Sequence, residues 1–165
     1  MKNLSLVAAI GANYELGIDN HLIWHIKEDM VFYRDLTINK KNIIMGRKTL
    51  ESLPPKALNK RNPFVLSTRN LEQVYDVNCF NNISSLLEYI SSSEEDFIVI
   101  GGAVIYKEFL PFVDTMYLTE ILEYENADTF FPYFDVIDWD VEMIADYSNE
   151  KVPYIRNKYV RKRVK

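Results

Sequence analysis

Cysteine and histidine are both scarce in this chain of 165 residues. Cys79 stands alone, and His21 and His25 are the only imidazoles. A lone thiol excludes an internal disulfide, and without a Cys/His cluster neither zinc nor an iron–sulfur group has its usual ligands. No metal site is expected. Glycine (5) and proline (6) are also sparse, so no flexible linker or low-complexity tract divides the chain. No apolar run reaches the ~18 residues of a membrane span, and Met1–Ala9 lacks the pattern of a secretory leader. These absences point to a cytoplasmic protein that meets no membrane.

What is present is an ordinary globular composition, 48% hydrophobic and 26% charged. A chain of this length buries about 70% of its unfolded surface without staples, so one domain over residues 1–165 is expected. The formal charge of −5 is unevenly spread: the last ten residues carry +6 and the first 155 carry −11. Tyr154, Tyr159, Val160 and Val164 are scattered among those cations, as in a terminal strand with one solvated face. With an acidic body, no nucleic-acid partner is expected.

Short apolar runs alternate with helical spacing. Leu4–Ile10, Asn42–Met45, Phe64–Ser67, Val77–Phe80 and Phe97–Ile100 have the composition of buried strands. Lys27–Leu36 and Val104–Leu110 have helical periodicity, Gly46–Thr49 opens a helix, and Ser85-Leu-Leu-Glu88 has the form of a capping box that starts another. Met116–Thr119, Asp140–Tyr147 and Tyr154–Lys162 close the chain as strands. The pattern predicts a mostly parallel sheet with helices on both faces and an antiparallel C-terminal edge. Ligands in such sheets lie beyond the carboxyl ends of the strands, here just after Ile10, Met45, Leu66 and Ile100.

Several groups near those ends carry chemistry. Ile26, Met30, Tyr33 and Leu36 form an apolar stripe, and Asp29 lies beside it with Phe32 at i+3 and Tyr33 at i+4. A carboxylate there needs a cation, a hydrogen-bond donor or a proton, because burying an unpaired charge is costly. An acid in a first helical turn also has a plain explanation in the helix dipole. Gly46-Arg47-Lys48-Thr49 and Ser67-Thr68-Arg69 both follow strands and offer hydroxyls and cations. One such basic turn is routine; two at equivalent strand ends favour an anionic ligand. Gly101-Gly102 permits close backbone approach to a pyrophosphate, or is simply a tight turn. Neither Gly-x-Gly-x-x-Gly nor a P-loop is present. Gly11–His25 is long for a βα connection and is expected to be a lid.

Seven stretches, in order, resemble dihydrofolate reductase of the bacterial type across nearly the whole chain. They are Leu6–Ala9, Gly17–Asn20, Trp24-x4-Asp29, Ile44–Thr49, Leu66–Thr68, Ile98–Gly102 and Asp128–Pro132. The resemblance implies a dihydrofolate-reductase-like α/β fold with a central eight-stranded, mostly parallel sheet. It also implies a cytoplasmic, monomeric oxidoreductase that reduces 7,8-dihydrofolate to tetrahydrofolate with NADPH and binds antifolate inhibitors. By the family pattern Asp29 grips the pterin, Thr119 backs it, and Leu22 and Trp24 cover the site. Val7, Ala8, Met30, Tyr33, Leu53, Leu58 and Ile100 would line the folate pocket, and Arg61 would take the glutamate carboxylate. Ala9, Leu16, Gly17, Ile18, Asp19 and Asn20 would meet the nicotinamide end of the cofactor. Gly46, Arg47, Lys48, Thr49, Leu66, Ser67, Thr68 and Arg69 would hold its phosphates and adenosine; Gly101, Gly102, Ala103, Val104, Ile105 and Tyr106 would hold its pyrophosphate and nicotinamide. A cis peptide between the two glycines is implied as well.

Three residues depart from the family pattern: Ile23 replaces a usual proline, Val104 stands where some members have a base, and Arg156 falls near a usually apolar position. In this reading the partner of Asp29 is the substrate itself, and Asp29→Asn leaves the fold nearly intact. Two alternatives share the fold: a pteridine or pyrimidine reductase of the riboflavin-pathway type, and a module that binds NADPH or folate without turnover.

Overall fold

The computed structural model describes residues 1–19 and 21–163. The chain runs through β1 (Leu4–Ile10), β2 (Glu15–Ile18), β3 (His21–Leu22), α1 (Lys27–Lys40), β4 (Asn42–Gly46) and α2 (Arg47–Ser52). A 3₁₀ turn at Pro55–Leu58 precedes β5 (Asn62–Leu66), β6 (Asn78–Phe80), α3 (Ile83–Ser91), β7 (Phe97–Gly101) and α4 (Ala103–Phe109). Then come β8 (Thr115–Ile121), β9 (Thr129–Phe130), a second 3₁₀ turn, β10 (Trp139–Tyr147) and β11 (Tyr154–Arg161).

Eight strands form one sheet in the order β10-β11-β8-β1-β7-β4-β5-β6, and β3-β2-β9 form a small second sheet. From β8 to β6 all pairings are parallel; β11 is antiparallel to both β8 and β10. The antiparallel C-terminal strand therefore lies one place in from the edge, with β10 outside it.

Period-2 alternation divides the core into two layers. Leu4, Leu6, Ala8 and Ile10 of β1 point to one face with Phe97 and Val99, where Leu86 and Ile90 of α3 and Ile105 and Phe109 of α4 cover them. Val7, Ile43, Met45, Val65, Ile98 and Ile100 point to the other face, against Leu50 of α2 and Phe32, Tyr33 and Leu36 of α1. Both faces are covered, which is why the central strands are nearly continuous apolar runs.

One local expectation is corrected. Helix α3 starts at Ile83, not Ser85: Asn82 is the cap, its side chain accepting the Ser85 N–H at 2.9 Å. The Asn82 side chain satisfies the N–H three residues on, the same cap geometry as the expected box but set one turn earlier. The long connection after β1 is not wholly irregular. It pairs β2 with β3 and β9, and its Asp19 N–H donates to Asp128 Oδ2 at 2.9 Å. Those strands are too short to show as periodicity. No helix among the described residues is long and apolar enough to cross a membrane.

Candidate active site

Register places the central carboxylate's surroundings. Ala9 of β1 sits opposite Thr119 of β8, and Thr119 sits opposite Arg156 of β11. In-register residues on neighbouring strands point to the same face. Ala9 shares parity with Val7, so this row of three faces the layer that α1 covers. Asp29, Phe32, Tyr33 and Leu36 follow the i, i+3, i+4, i+7 spacing of one helical face, and the last three pack on the sheet. Asp29 thus occupies the position of that face where an apolar residue would ordinarily stand. The expected stripe through Met30 is corrected by this rotation: Met30 is 59% exposed.

Asp29 does not lack a partner in the chain, contrary to the sequence reading. Its side chain is 17% exposed, and Arg156, 6% exposed, donates from Nη2 to Oδ1 at 2.7 Å. Thr119 Oγ1 donates to the same oxygen and accepts from Arg156 Nε at 3.2 Å. The guanidinium carbon lies 4.0 Å from the centroid of the Phe32 ring. Sequence separation hid this triad, since 127 residues divide Asp29 from Arg156. The unusual cation in the last strand was its only trace. Asp29 Oδ2 accepts no hydrogen bond from the described residues.

Beyond the strand ends, the glycine pair lies between β1 and β4, because β7 is inserted between them. The Gly101-Gly102 peptide is cis, and Gly101 has φ +131°, a conformation side chains rarely adopt. Tyr106 fixes the neighbouring backbone: its hydroxyl donates to the Val7 carbonyl at 2.7 Å, with the Ile100 carbonyl 2.9 Å away. Burial, with the charge of Tyr33 second, pushes this phenol's pKa upward, so it stays a donor. A Cβ at Gly102 would meet nothing nearer than Thr49 Oγ1 at 3.6 Å, which leaves an open cleft between the starts of α2 and α4.

Past the end of β5 is an open cavity of about 400 Å³ lined by Ser67, Thr68, Arg69, Glu72, Phe80 and Ser85, among others. Arg69 is exposed at this cavity and Lys48 on α2, while Arg47 is paired with Glu51 one turn on. Hydroxyls and cations just after β4 and β5, with the open glycine turn at the end of β7, are a donor set that fits a polyanionic cofactor. Val104 is exposed, Ala103 and Leu66 are half-buried, and Ile105 is buried in the core.

Tyr33, Leu53 and Leu58 pack against the layer that holds Val7 and Ile100, while Ala8 belongs to the opposite layer. Leu22, on β3, is 65% exposed, and Trp24 is half-buried. Trp24 and the buried Glu15 leave no room at Gly11, where a Cβ would lie 2.5 Å from the indole and 2.6 Å from Glu15 Oε1. Glu15 accepts from the amides of Asn13 at 2.6 Å and Glu125 at 2.7 Å, tying the connection to the β8–β9 segment. Leu16, Gly17, Ile18 and Asp19 lie in or beside β2; Asn20 lies outside the described residues.

Arg61 donates to Thr37 Oγ1 at 2.8 Å and to the carbonyls of Ala57 at 2.9 Å and Asn59 at 3.0 Å. All are neutral acceptors, and among the described residues no carboxylate pairs with it. No cluster of His, Cys, Asp or Glu among the described residues could hold a metal ion.

Comparison with known proteins gives one answer. The family model described as dihydrofolate reductase matches residues 3–161. A protein named dihydrofolate reductase from Bacillus subtilis (strain 168) is 35% identical over 152 residues, 92% of this chain and 89% of the other. One of the same name from Haemophilus influenzae is 36% identical over 138 residues, 84% of each chain. The solved dihydrofolate reductase from Enterococcus faecalis, complexed with NADP(H) and RAB-propyl, superposes with a TM-score of 0.82 at 26% identity, covering 97% of this chain and 96% of that one. With the fold, the strand-end cleft and these likenesses in agreement, this chain belongs to the dihydrofolate reductase family.

Proposed function

We infer that Asp29 is the carboxylate on which the family's reaction turns in this chain, with Oδ2 as the atom offered to the substrate. The chain is an NADPH-dependent oxidoreductase that reduces 7,8-dihydrofolate to 5,6,7,8-tetrahydrofolate. The observation that carries the residue assignment is a mostly buried carboxylate, held at one oxygen and, among the described residues, unpartnered at the other, beside the strand ends.

When bound, NADPH supplies the hydride that reduces the pterin. The chain's own work is to bind, orient and keep water away. Asp29 Oδ2 accepts N–H groups from the pterin edge and fixes the ring. Tyr33, Leu53, Leu58, Val7 and Ile100 give it an apolar bed. Arg61, with only neutral partners, takes the carboxylate of the glutamate tail by charge. Lys48, Thr49, Ser67, Thr68 and Arg69 hold the phosphates, Gly101 and Gly102 admit the pyrophosphate, and Trp24 closes over the ring from the connection tied down by Glu15. Antifolate ligands occupy the same cleft, and the protein works as a cytoplasmic monomer.

Loss of NADPH absorbance on adding dihydrofolate tests the reading. Asp29→Asn is expected to lower turnover by orders of magnitude at neutral pH, less so in acid, where solvent supplies the proton to the ring. Parental rates at neutral pH in that variant refute the role given to Asp29. The riboflavin-pathway alternative is not favoured, since the matched relatives carry the dihydrofolate reductase name. A folded, NADPH-saturated sample without turnover would instead support the binding-module reading.

A further inference from the structure

Asp29 meets a cation of its own chain before any ligand arrives, and this bears on which rings it accepts. Arg156 is held three ways: by the Asp29 oxygen at 2.7 Å, by Thr119 at 3.2 Å, and by the Phe32 ring, whose centroid is 4.0 Å from the guanidinium carbon. A guanidinium so fixed holds its positive charge against Asp29 Oδ1. Oδ1 of Asp29 is occupied by Thr119 and Arg156, so the carboxylate's negative charge is already matched when Oδ2 takes a ligand. Tyr154 of β11, whose ring centroid lies 5.8 Å from the Arg156 guanidinium carbon, feels the charges of Arg156, Tyr147, Asp29 and Glu28.

We propose that Arg156 is a positioning residue that sets the charge selectivity of the cleft: it turns Asp29 Oδ2 outward and favours heterocycles that arrive as neutral N–H donors over those that arrive as ring cations. This rests on Asp29 being the carboxylate that grips the ring. A neutral aminopyrimidinone edge donates to Oδ2 and leaves the buried cluster neutral. An amidinium edge adds a second positive charge a few ångströms from a guanidinium that water hardly reaches, and like charges in such a place strongly disfavour the ionised ligand. A bare carboxylate has the opposite preference, because a cationic ligand would then be its only counter-charge.

The test is calorimetric titration of the NADPH-bound full chain with two probes of identical substitution, a 2-amino-4-oxopyrimidine and a 2,4-diaminopyrimidine. Arg156→Met keeps much of the stem's bulk and removes the charge. It is expected to raise the diamino-to-oxo affinity ratio about 10- to 100-fold. Arg156→Lys, which keeps a cation beside Asp29, is expected to raise the ratio less than Arg156→Met does. An unchanged ratio in folded Arg156→Met overturns the proposal.

The parent protein gives an independent reading that needs no variant to fold. Titration of the diamino probe about one unit above its own pKa, in two buffers of different ionisation enthalpy, is expected to show uptake of less than about half a proton. Uptake of nearly a full proton overturns the proposal. Asp29→Asn keeps the two assignments apart. Loss of affinity for both probes supports Asp29 as the ring's anchor, and unaltered binding of both removes that anchor and the proposal with it.

Discussion

Replacing Asp29 by asparagine perturbs the fold as well as the reaction, because Arg156 then remains buried without a counter-charge. Removing one member of a buried ion pair costs about 3–5 kcal/mol. Asparagine can keep its oxygen toward Thr119 and Arg156, which returns roughly 1 kcal/mol of hydrogen bonding. Asp29 is also 17% exposed, so water screens part of the loss. The net expectation is about 2–3 kcal/mol, and with a urea slope near 2 kcal/mol/M the unfolding midpoint falls by about 1–1.5 M. Arg156→Met in the same background removes the orphan guanidinium and is expected to recover most of this, a coupling of about 2 kcal/mol. Urea melts of the parent, both single variants and the double variant, without ligand, measure the cycle. An unshifted midpoint in Asp29→Asn, or strictly additive single effects, refutes the buried pair as a source of stability. The sequence alone gives the opposite expectation, a nearly intact fold.

Three further outcomes can be checked. Tyr106→Phe leaves the Val7 and Ile100 carbonyls without their hydroxyl donor, a loss of about 1–2 kcal/mol; Tm should drop by about 3–6 °C, and an unchanged Tm contradicts the bridging role. Tyr106 and Tyr159 have pKa values raised chiefly by burial, with Glu120 adding to the second. Their unfolded-state phenols release protons near pH 10 while the folded ones keep theirs, so the unfolded chain binds fewer protons and stability falls as pH rises above about 10. Urea midpoints that stay flat from neutral pH to about pH 11 would argue against this. Arg69→Ala should raise the KM for NADPH about tenfold and leave that for NADH unchanged, since the side chain lines the cavity suited to the extra phosphate; equal losses with both nucleotides place Arg69 elsewhere on the cofactor.

Much of the fold is written in local chemistry. β1, β4, β5 and β7 are visible as apolar runs because strands buried on both faces cannot alternate, and α1 and α4 are visible by their 3.6-residue spacing. The small β2-β3-β9 sheet is not, since strands of two to four residues leave no period and the pairing of β2 with β9 closes across more than a hundred residues. The Asn82 cap was hidden in another way, behind a Ser-x-x-Glu pattern with the same local logic shifted by three residues.

The sequence by itself determined the fold class, the family and the inventory of strand-end hydroxyls, cations and glycines, because each depends on neighbours within a few residues. It also placed a carboxylate on an otherwise apolar helix face, and so raised the question of what neutralises it. Only the tertiary structure answered that question. Register across β1, β8 and β11 sets Ala9, Thr119 and Arg156 in one row, and α1 lays Asp29 over it. Charge pairing between residues 127 apart is a property of sheet order, which no local pattern encodes.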